Sequence, residues 1–337
     1  MPNNEAPRNN RAHAMICGEN KVLEITNPQV PAVAVVVMTR LGGKYKGRSA
    51  VQYTEIPPSF GLEKFVKCFW SAELTAPNGI EVTKTILPDG TMELLTIDGD
   101  VTVECSNPKR SMRRYGTFVV GQLRRPISLK HRGKISITGV RFQPAGASAF
   151  LSIPMHHLVD TIVPIGELNT GRLELHLRAC PHGERKIKVL ESWLHDRLSH
   201  RFDDGITAPA VASILNRRGC GLVNDVAGEI GITARHLERR FHDTVGLSPK
   251  LLSRIVRFSN AFEQIKTARR VRWPEIAFDS GFCDQAHFIR EFRHFSGQVP
   301  SSVSAASIDA YWCANPASPK NSSVMSGLFN IPSARCA

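Results

Sequence analysis

Apolar residues change their spacing partway along this chain. Between residues 53 and 168 they come in short runs broken by Gly, Pro and Asp, and beyond residue 183 they recur every three or four positions. Short runs bounded by turn residues predict strands, and the longer period predicts helices. Val82–Leu87, Met92–Ile97, Val101–Cys105, Phe118–Gly121, Ile127–His131 and Lys134–Phe142 are the predicted strands. The corners Pro88-Asp89-Gly90, Asp98-Gly99 and Arg132-Gly133 between them predict hairpins. A short amphipathic segment, Leu62–Trp70, follows Pro57-Pro58. Helical spacing of Ile187, Val189, Leu190, Trp193, Leu194 and Leu198 marks Gly183–His200, and Ala208–Leu215 continues it. Residues 1–50, rich in Asn, Pro, Gly and basic side chains, and residues 304–337, rich in Ser, Ala, Pro and Asn, are expected to be disordered extensions. Met15 and Met38 offer alternative starts within the first of these.

One pattern occurs twice, fifty residues apart. The first copy is Val226-Ala227-x-x-x-Gly231-Ile232-Thr233, and the second is Ile276-Ala277-x-x-x-Gly281-Phe282-Cys283-Asp284. In each, glycine can end a helix at positive φ at little steric cost. The alanine lets a second helix cross closely, and Thr233 or Asp284 caps that helix. Leu237 and Phe241, like Phe288 and Phe292, stand four apart and form an inward stripe. Arg235, His236, Glu238 and Arg239 then point outward in copy one. Gln285, Ala286, His287, Ile289 and Arg290 do so in copy two. Such side chains on a second helix suit the reading of base edges in the major groove.

Between the copies, Gly246-Leu247-Ser248-Pro249 reads as a helix stop and a restart. Leu251, Leu252, Ile255, Val256, Ser259, Phe262 and Ile265 then predict a helix from Pro249 to Ala268, about 30 Å long. This approaches the roughly 34 Å of one DNA turn, so the two units can address one side of a duplex. Gly228, inside the first helix of copy one, should weaken it by about 1 kcal/mol relative to Ala.

Net charge of +13 favours a polyanionic partner, but it is spread along the chain. From Arg217 to Val303 fourteen Lys and Arg stand against nine Asp and Glu. No run of eighteen apolar residues exists, so no membrane span is expected. The eight cysteines form no Cys-x-x-Cys pair and no zinc-finger spacing, which suits reduced thiols in a cytoplasmic protein. Cys68, beside Phe65, Phe69 and Trp70, belongs to a core.

These motifs resemble the C-terminal domain of the AraC/XylS family of bacterial transcription regulators. The resemblance rests on Ala227, Gly231, Thr233, Arg235, Leu237, Arg239 and Phe241, on the Gly246–Pro249 junction, and on Gly281, Phe282, Asp284, Gln285, His287, Phe288, Arg290 and Phe292, closing with Gly297 and Pro300. It spans residues 219–303. It implies helices of about 233–244 and 284–294 in adjacent major-groove segments, with Arg235, Glu238, Arg239, Gln285, Ala286, His287 and Arg290 as base-reading candidates. Ala227, Gly231, Leu237, Phe241, Ala277, Gly281, Phe288 and Phe292 would be structural. Upstream, Pro57-Pro58, Cys68-Phe69-Trp70, Leu87–Gly90, Val120-Gly121 and Gly139–Phe142 with Pro144 resemble an uncharacterised N-terminal domain fused to such readers. In that family an N-terminal domain senses a small molecule or mediates dimerisation.

The expected architecture is α+β with two domains. A β-rich antiparallel domain (53–168) and a helical connector (183–218) precede an all-α domain with two helix-turn-helix units on one long helix. The expected partners are double-stranded DNA, RNA polymerase and an unidentified small-molecule effector, for a monomer or a homodimer. No catalytic residue, metal or cofactor is implied. An oxygenase needs two histidines and a carboxylate, and adjacent His156-His157, with His131 apart, does not offer them. Cys68 or Cys105 as a nucleophile for a DNA-repair fusion lacks an activating neighbour in the sequence. Arg269-Arg270-x-Arg272 would serve a non-specific architectural binder, which the mixed Gln, His and Arg faces disfavour. His131, Trp70, Arg141 and Tyr115 are the candidates for lining a pocket in the β domain.

Overall fold

The computed structural model describes residues 13–17, 20–24, 34–37, 50–104, 110–112, 115–181, 183–198, 205–268, 270–303 and 311–312. Two sheets form the N-terminal part. The larger contains β1 (His13–Cys17), β2 (Asn20–Glu24), β3 (Ala34–Val37), β4 (Ala50–Ile56), β5 (Val66–Thr75), β7 (Glu93–Asp98), β10 (Tyr115–Val120), β12 (Lys134–Phe142) and β13 (Ile162–Pro164). The smaller contains β6 (Glu81–Ile86), β8 (Val101–Glu104), β9 (Arg110–Met112), β11 (Ile127–Arg132) and β14 (Tyr311–Trp312). Their lateral orders are β1-β2-β3-β4-β5-β12-β7-β10-β13 and β14-β6-β11-β8-β9. Neighbours pair antiparallel, except that β14 runs parallel to β6.

Strand alternation builds two cores from one sheet. Trp70, Leu95 and Ile137 face the smaller sheet and meet Val101, Val103 and Leu129. Phe69, Leu94, Val140 and Phe142 face the other way, onto α1 (Leu173–Ala179) and α2 (Glu184–Arg197), through Leu173, Leu177, Ile187, Leu190 and Leu194. Both faces of these strands are buried, which explains their nearly continuous apolar runs.

The C-terminal part comprises α3 (Thr207–Asn216), α4 (Val223–Glu229), α5 (Ala234–Thr244), α6 (Pro249–Thr267), α7 (Trp273–Asp279) and α8 (Gln285–Ser296). One core runs through it, from Ala210 and Ile214 of α3 to Phe288, Phe292 and Phe295 of α8, with Leu252, Ile255, Val256, Phe258 and Phe262 of α6 between. Leu87 and Ala145 of the β domain enter this same core.

Several expectations change. The glycine corners are not hairpins. Asp89-Gly90 joins β6 to β7, Asp98-Gly99 joins β7 to β8, and Arg132-Gly133 joins β11 to β12, each time carrying the chain from one sheet to the other. Gly90, Gly99 and Gly133 do take positive φ, of 75°, 125° and 64°, so the turns are real. A tight turn reads alike whether the strands it joins pair or part. The connector also splits, since α2 packs on the large sheet while α3 joins the C-terminal core. Leu62–Phe65 form a turn, and the strand starts at Val66. Residues 1–50 are not wholly an unstructured extension, because β1–β3, rich in Val and Ile, lengthen the large sheet. Tyr311 and Trp312 likewise form a strand within the predicted tail. The remainder of both segments lies outside the described residues.

Candidate nucleic-acid interface

Each repeat folds as its residues dictate. Gly231 and Gly281 end α4 and α7 at φ of 76° and 75°, where a Cβ would cost about 1–2 kcal/mol. Ala227 and Ala277 are buried where the second helices cross. Thr233 Oγ1 accepts from the His236 amide at 3.2 Å, and Asp284 Oδ1 accepts from the His287 amide at 2.6 Å. That bond holds the Asp284 carboxyl below its usual range, and a negative charge at a helix N-terminus also suits the helix dipole. Leu237, Phe241, Phe288 and Phe292 are fully buried. Ser248 caps α6 on the Leu251 amide at 3.2 Å, with Pro249 at its first position. The helix α6 has 19 residues and so spans about 28 Å.

Burying those stripes leaves the opposite faces outward. Arg235, Glu238, Arg239, Gln285, Ala286, Ile289 and Arg290 are exposed, and His236 and His287 are half-buried. Among the described residues, none of Arg235, Glu238, Arg239 and Arg290 is held in a salt bridge. Their charges are therefore available to a ligand. His287 is less free than its neighbours. Its Nδ1 lies 3.1 Å from Cys283 Sγ, and its ring meets Phe282 edge-on at 5.5 Å. Cys283 figures in the repeat but not among the expected site residues, although it stands just before the cap and four residues before His287.

The two units are fastened by different means. In unit two, Arg254 of α6 grips Glu291 of α8 with Nε–Oε2 of 2.7 Å and a second bond of 2.9 Å. Arg254 holds the Glu291 carboxyl below its ordinary value against the opposing effect of burial. Phe258, Phe262, Phe292 and Phe295 close around this pair, with ring centroids 5.3–6.3 Å apart. In unit one, Ser213 of α3 and Arg217 just past its end hold Glu229 of α4 at the surface. Below them the Thr244 and Thr207 hydroxyls meet at 3.0 Å.

Unit one also meets the β domain. The Gly246 backbone, just past α5, lies so close that a Cβ there would stand 2.9 Å from the Met155 carbonyl oxygen. A Cβ on Gly90 would stand 2.8 Å from Leu252 of α6. His156 sits on the 3-10 turn Met155–Leu158 facing the end of α5, and its imidazole is held below its ordinary pKa by desolvation and by the neighbouring His242 and His157.

Within the β domain a cavity of about 80 Å³ lies between the sheets, lined by Trp70, Leu95, Leu129, Glu93 and Arg141 among others. Arg141 is buried on Glu93 at 2.7 Å and stacks over Trp70 at 5.7 Å. Of the four pocket candidates, Trp70 and Arg141 line it. His131 is buried elsewhere in the smaller sheet, and Tyr115 lies under Lys186 and Arg178. Burial pushes the Cys68 thiol up to about 12, which leaves little thiolate for a nucleophile. Cys105 lies outside the described residues. No helix among the described residues is long and apolar enough to cross a membrane.

Two family models match this chain. One, described as a domain of unknown function (DUF6597), covers residues 54–164, and the other, a helix-turn-helix domain, covers residues 226–306. No curated protein matches the sequence. Among solved structures, ToxT from Vibrio cholerae is similar over 72% of this chain and 98% of its own, at 12% identity and a TM-score of 0.42. A transcriptional regulator with an AraC-type DNA-binding domain from Chromobacterium violaceum matches over 30% of this chain and 90% of its own, at 21% identity and a TM-score of 0.28. The cupin domain of Schizosaccharomyces pombe Cnp3 matches 27% of this chain and 60% of its own, at 15% identity and a TM-score of 0.21. Residues 226–306 thus match a helix-turn-helix domain, and they follow a stretch that matches a domain of unknown function.

Proposed function

We propose that the protein reads a specific double-stranded DNA site by placing α5 and α8 in adjacent major-groove segments. The observation that carries this reading is the pair of capped helices on one 19-residue helix, each with its apolar stripe buried and its polar face outward. Arg235, Glu238 and Arg239 are the reading residues of the first unit, and Gln285, Ala286, His287 and Arg290 those of the second. Arg suits guanine, Gln suits adenine, a carboxylate accepts from cytosine, and the Ala286 methyl fits beside the methyl of thymine. The reading is regulatory and not enzymatic. The β domain controls the reader through its packing on α5 and α6, and a small-molecule effector and RNA polymerase remain its proposed further partners.

Selection of binding sites from a random duplex pool by the full chain tests this. A defined motif with two half-sites about one helical turn apart is expected. On that motif Arg290→Ala should weaken binding by about 1–3 kcal/mol and relax preference at one base pair. Equal weakening on every sequence would make Arg290 a phosphate contact. Unchanged affinity would remove it from the reading face, and recovery of no motif would overturn the reading.

A further inference from the structure

The end of α5 brings His242 and Asp243 up to the turn that carries His156. Asp243 Oδ1 lies 3.7 Å from His156 Nδ1 and 3.6 Å from His242 Nδ1. All three ligand atoms lie within 4.8 Å of one another. The His156 and His242 rings stack with centroids 3.8 Å apart, and His157 packs on His156 at 4.1 Å. We propose that His156, His242 and Asp243 form a binding site for a divalent transition metal of the zinc type, which fastens the first reading helix to the β domain.

Three observations support the site. First, the polar atoms converge without satisfying one another. Separations of 3.6 and 3.7 Å are too long for hydrogen bonds to the carboxylate, and the buried His156 Nδ1 has no hydrogen-bond partner among the described residues. Burying such a nitrogen unpaired is unfavourable unless something fills the gap. Second, the spacing nearly fits an ion. Zinc–ligand bonds of about 2.0–2.2 Å in a tetrahedron place ligand atoms roughly 3.4 Å apart. Two of the three separations are already close to that. The third closes by side-chain rotation, for which His242 and Asp243 have room, being 59% and 50% exposed. Third, the donor set is selective. Two imidazoles and one carboxylate suit Zn²⁺, Co²⁺ or Ni²⁺, whereas Mg²⁺ and Ca²⁺ prefer oxygen alone. Three protein ligands leave a fourth position for water.

The location gives the site its consequence. His156 belongs to the β domain, and the other two ligands belong to the last turn of α5. An ion held by all three adds a cross-domain bond at unit one and none at unit two. Metal occupancy would then set how firmly α5 is held against the β domain.

The test uses the full chain, cleared of metal with a chelator and melted at increasing free Zn²⁺. At a free concentration one hundred times Kd, the apparent unfolding constant should fall about 100-fold, and Mg²⁺ should leave it unchanged. His156→Gln, His242→Gln and Asp243→Asn should each abolish the response, and Asp243→Asn, being isosteric and at the surface, should keep the unliganded melt. Co²⁺ in place of Zn²⁺ should give visible ligand-field absorption that the same three variants lose. A Zn²⁺ response that persists in the variants would put the ion on other histidines or on cysteines and overturn the proposal. So would a folded wild-type protein with no response. Neither assay involves DNA, so failure here leaves the base-reading assignment standing, and failure of Arg290→Ala leaves the metal site standing.

Discussion

Unit one hangs α5 on α3, α6 and the β domain together, whereas unit two gathers the aromatic end of the shared core around α8. The local devices are the same in both: an alanine at the crossing, a glycine at positive φ, an N-cap and an apolar pair four residues apart. What differs lies outside the motif. Unit two has the bidentate Arg254–Glu291 pair and the Phe258, Phe262, Phe292 and Phe295 rings. Unit one has a surface ion pair and a close backbone approach at Gly246. Two copies of one motif can therefore be fastened by different means, one through an aromatic cluster and an ion pair on α6, the other through a surface ion pair and a close approach to the Met155 turn.

Substitutions can break this comparison at several levels. Phe292→Ala should have the largest effect, about 3–5 kcal/mol of stability in urea unfolding, as for other buried aromatics. It should loosen α8 before α5 in hydrogen exchange, and equal loosening of both helices would deny that the aromatic cluster serves unit two in particular. Glycine replacements come next. Gly231→Ala should cost about 1–2 kcal/mol from left-handed strain alone, because its surroundings are open. Gly281→Ala should cost more, since its Cβ would also stand 2.3 Å from Cys220 Sγ. Equal losses in thermal melts would erase that difference.

Glu291→Gln should cost about 1–2 kcal/mol, the lower part of the range for charged hydrogen bonds, because Arg254 keeps some exposure. The native carboxyl titrates below its unfolded value of about 4.3. Its contribution is therefore complete above that value and is lost as pH falls through the lower folded value. Wild type should lose part of its advantage over the Gln variant as acid is added, and an advantage that grows on acidification would break the assignment. The smallest effect has the opposite sign. Gly228→Ala, in a helix with open space around the added methyl, should stabilise unit one by about 0.5–1 kcal/mol. A loss would place Gly228 against something on the DNA-facing or β-domain side.

The helix-turn-helix units were legible because their signals are local. Gly231, Thr233, Ser248, Pro249, Gly281 and Asp284 each declare a stop or a start within a few residues, and the apolar period supplies the inward face. The base-reading assignment goes one step further and rests on exposure and chemistry. The β domain was legible as strands but not as a topology. Asp98-Gly99 and Arg132-Gly133 mark turns whatever the strands do next, and only pairing across the chain, such as β5 with β12, decides the sheet. The same limit hid the meeting of His156 with His242 and Asp243. In the sequence His156 stands beside His157 and apart from His131, while its partners arrive on a helix eighty-six residues later.

The corner turns also bear on how the molecule forms. Because β6–β7, β7–β8 and β11–β12 part at their glycines, none of these neighbours can zip up as a hairpin before the rest is in place. β5 can pair early with β4 on one side but must wait for β12 on the other, and β6 must wait for β11. A sandwich made of such distant pairings folds slowly, while helices built from contacts three and four residues apart form fast. The β domain leaves the ribosome first, yet it should be the last part to finish. α5 and α8 would then be assembled before the domain that packs on α5 has a surface to offer. Newly made chains would pass through a stage in which α5 is not yet packed against the β domain.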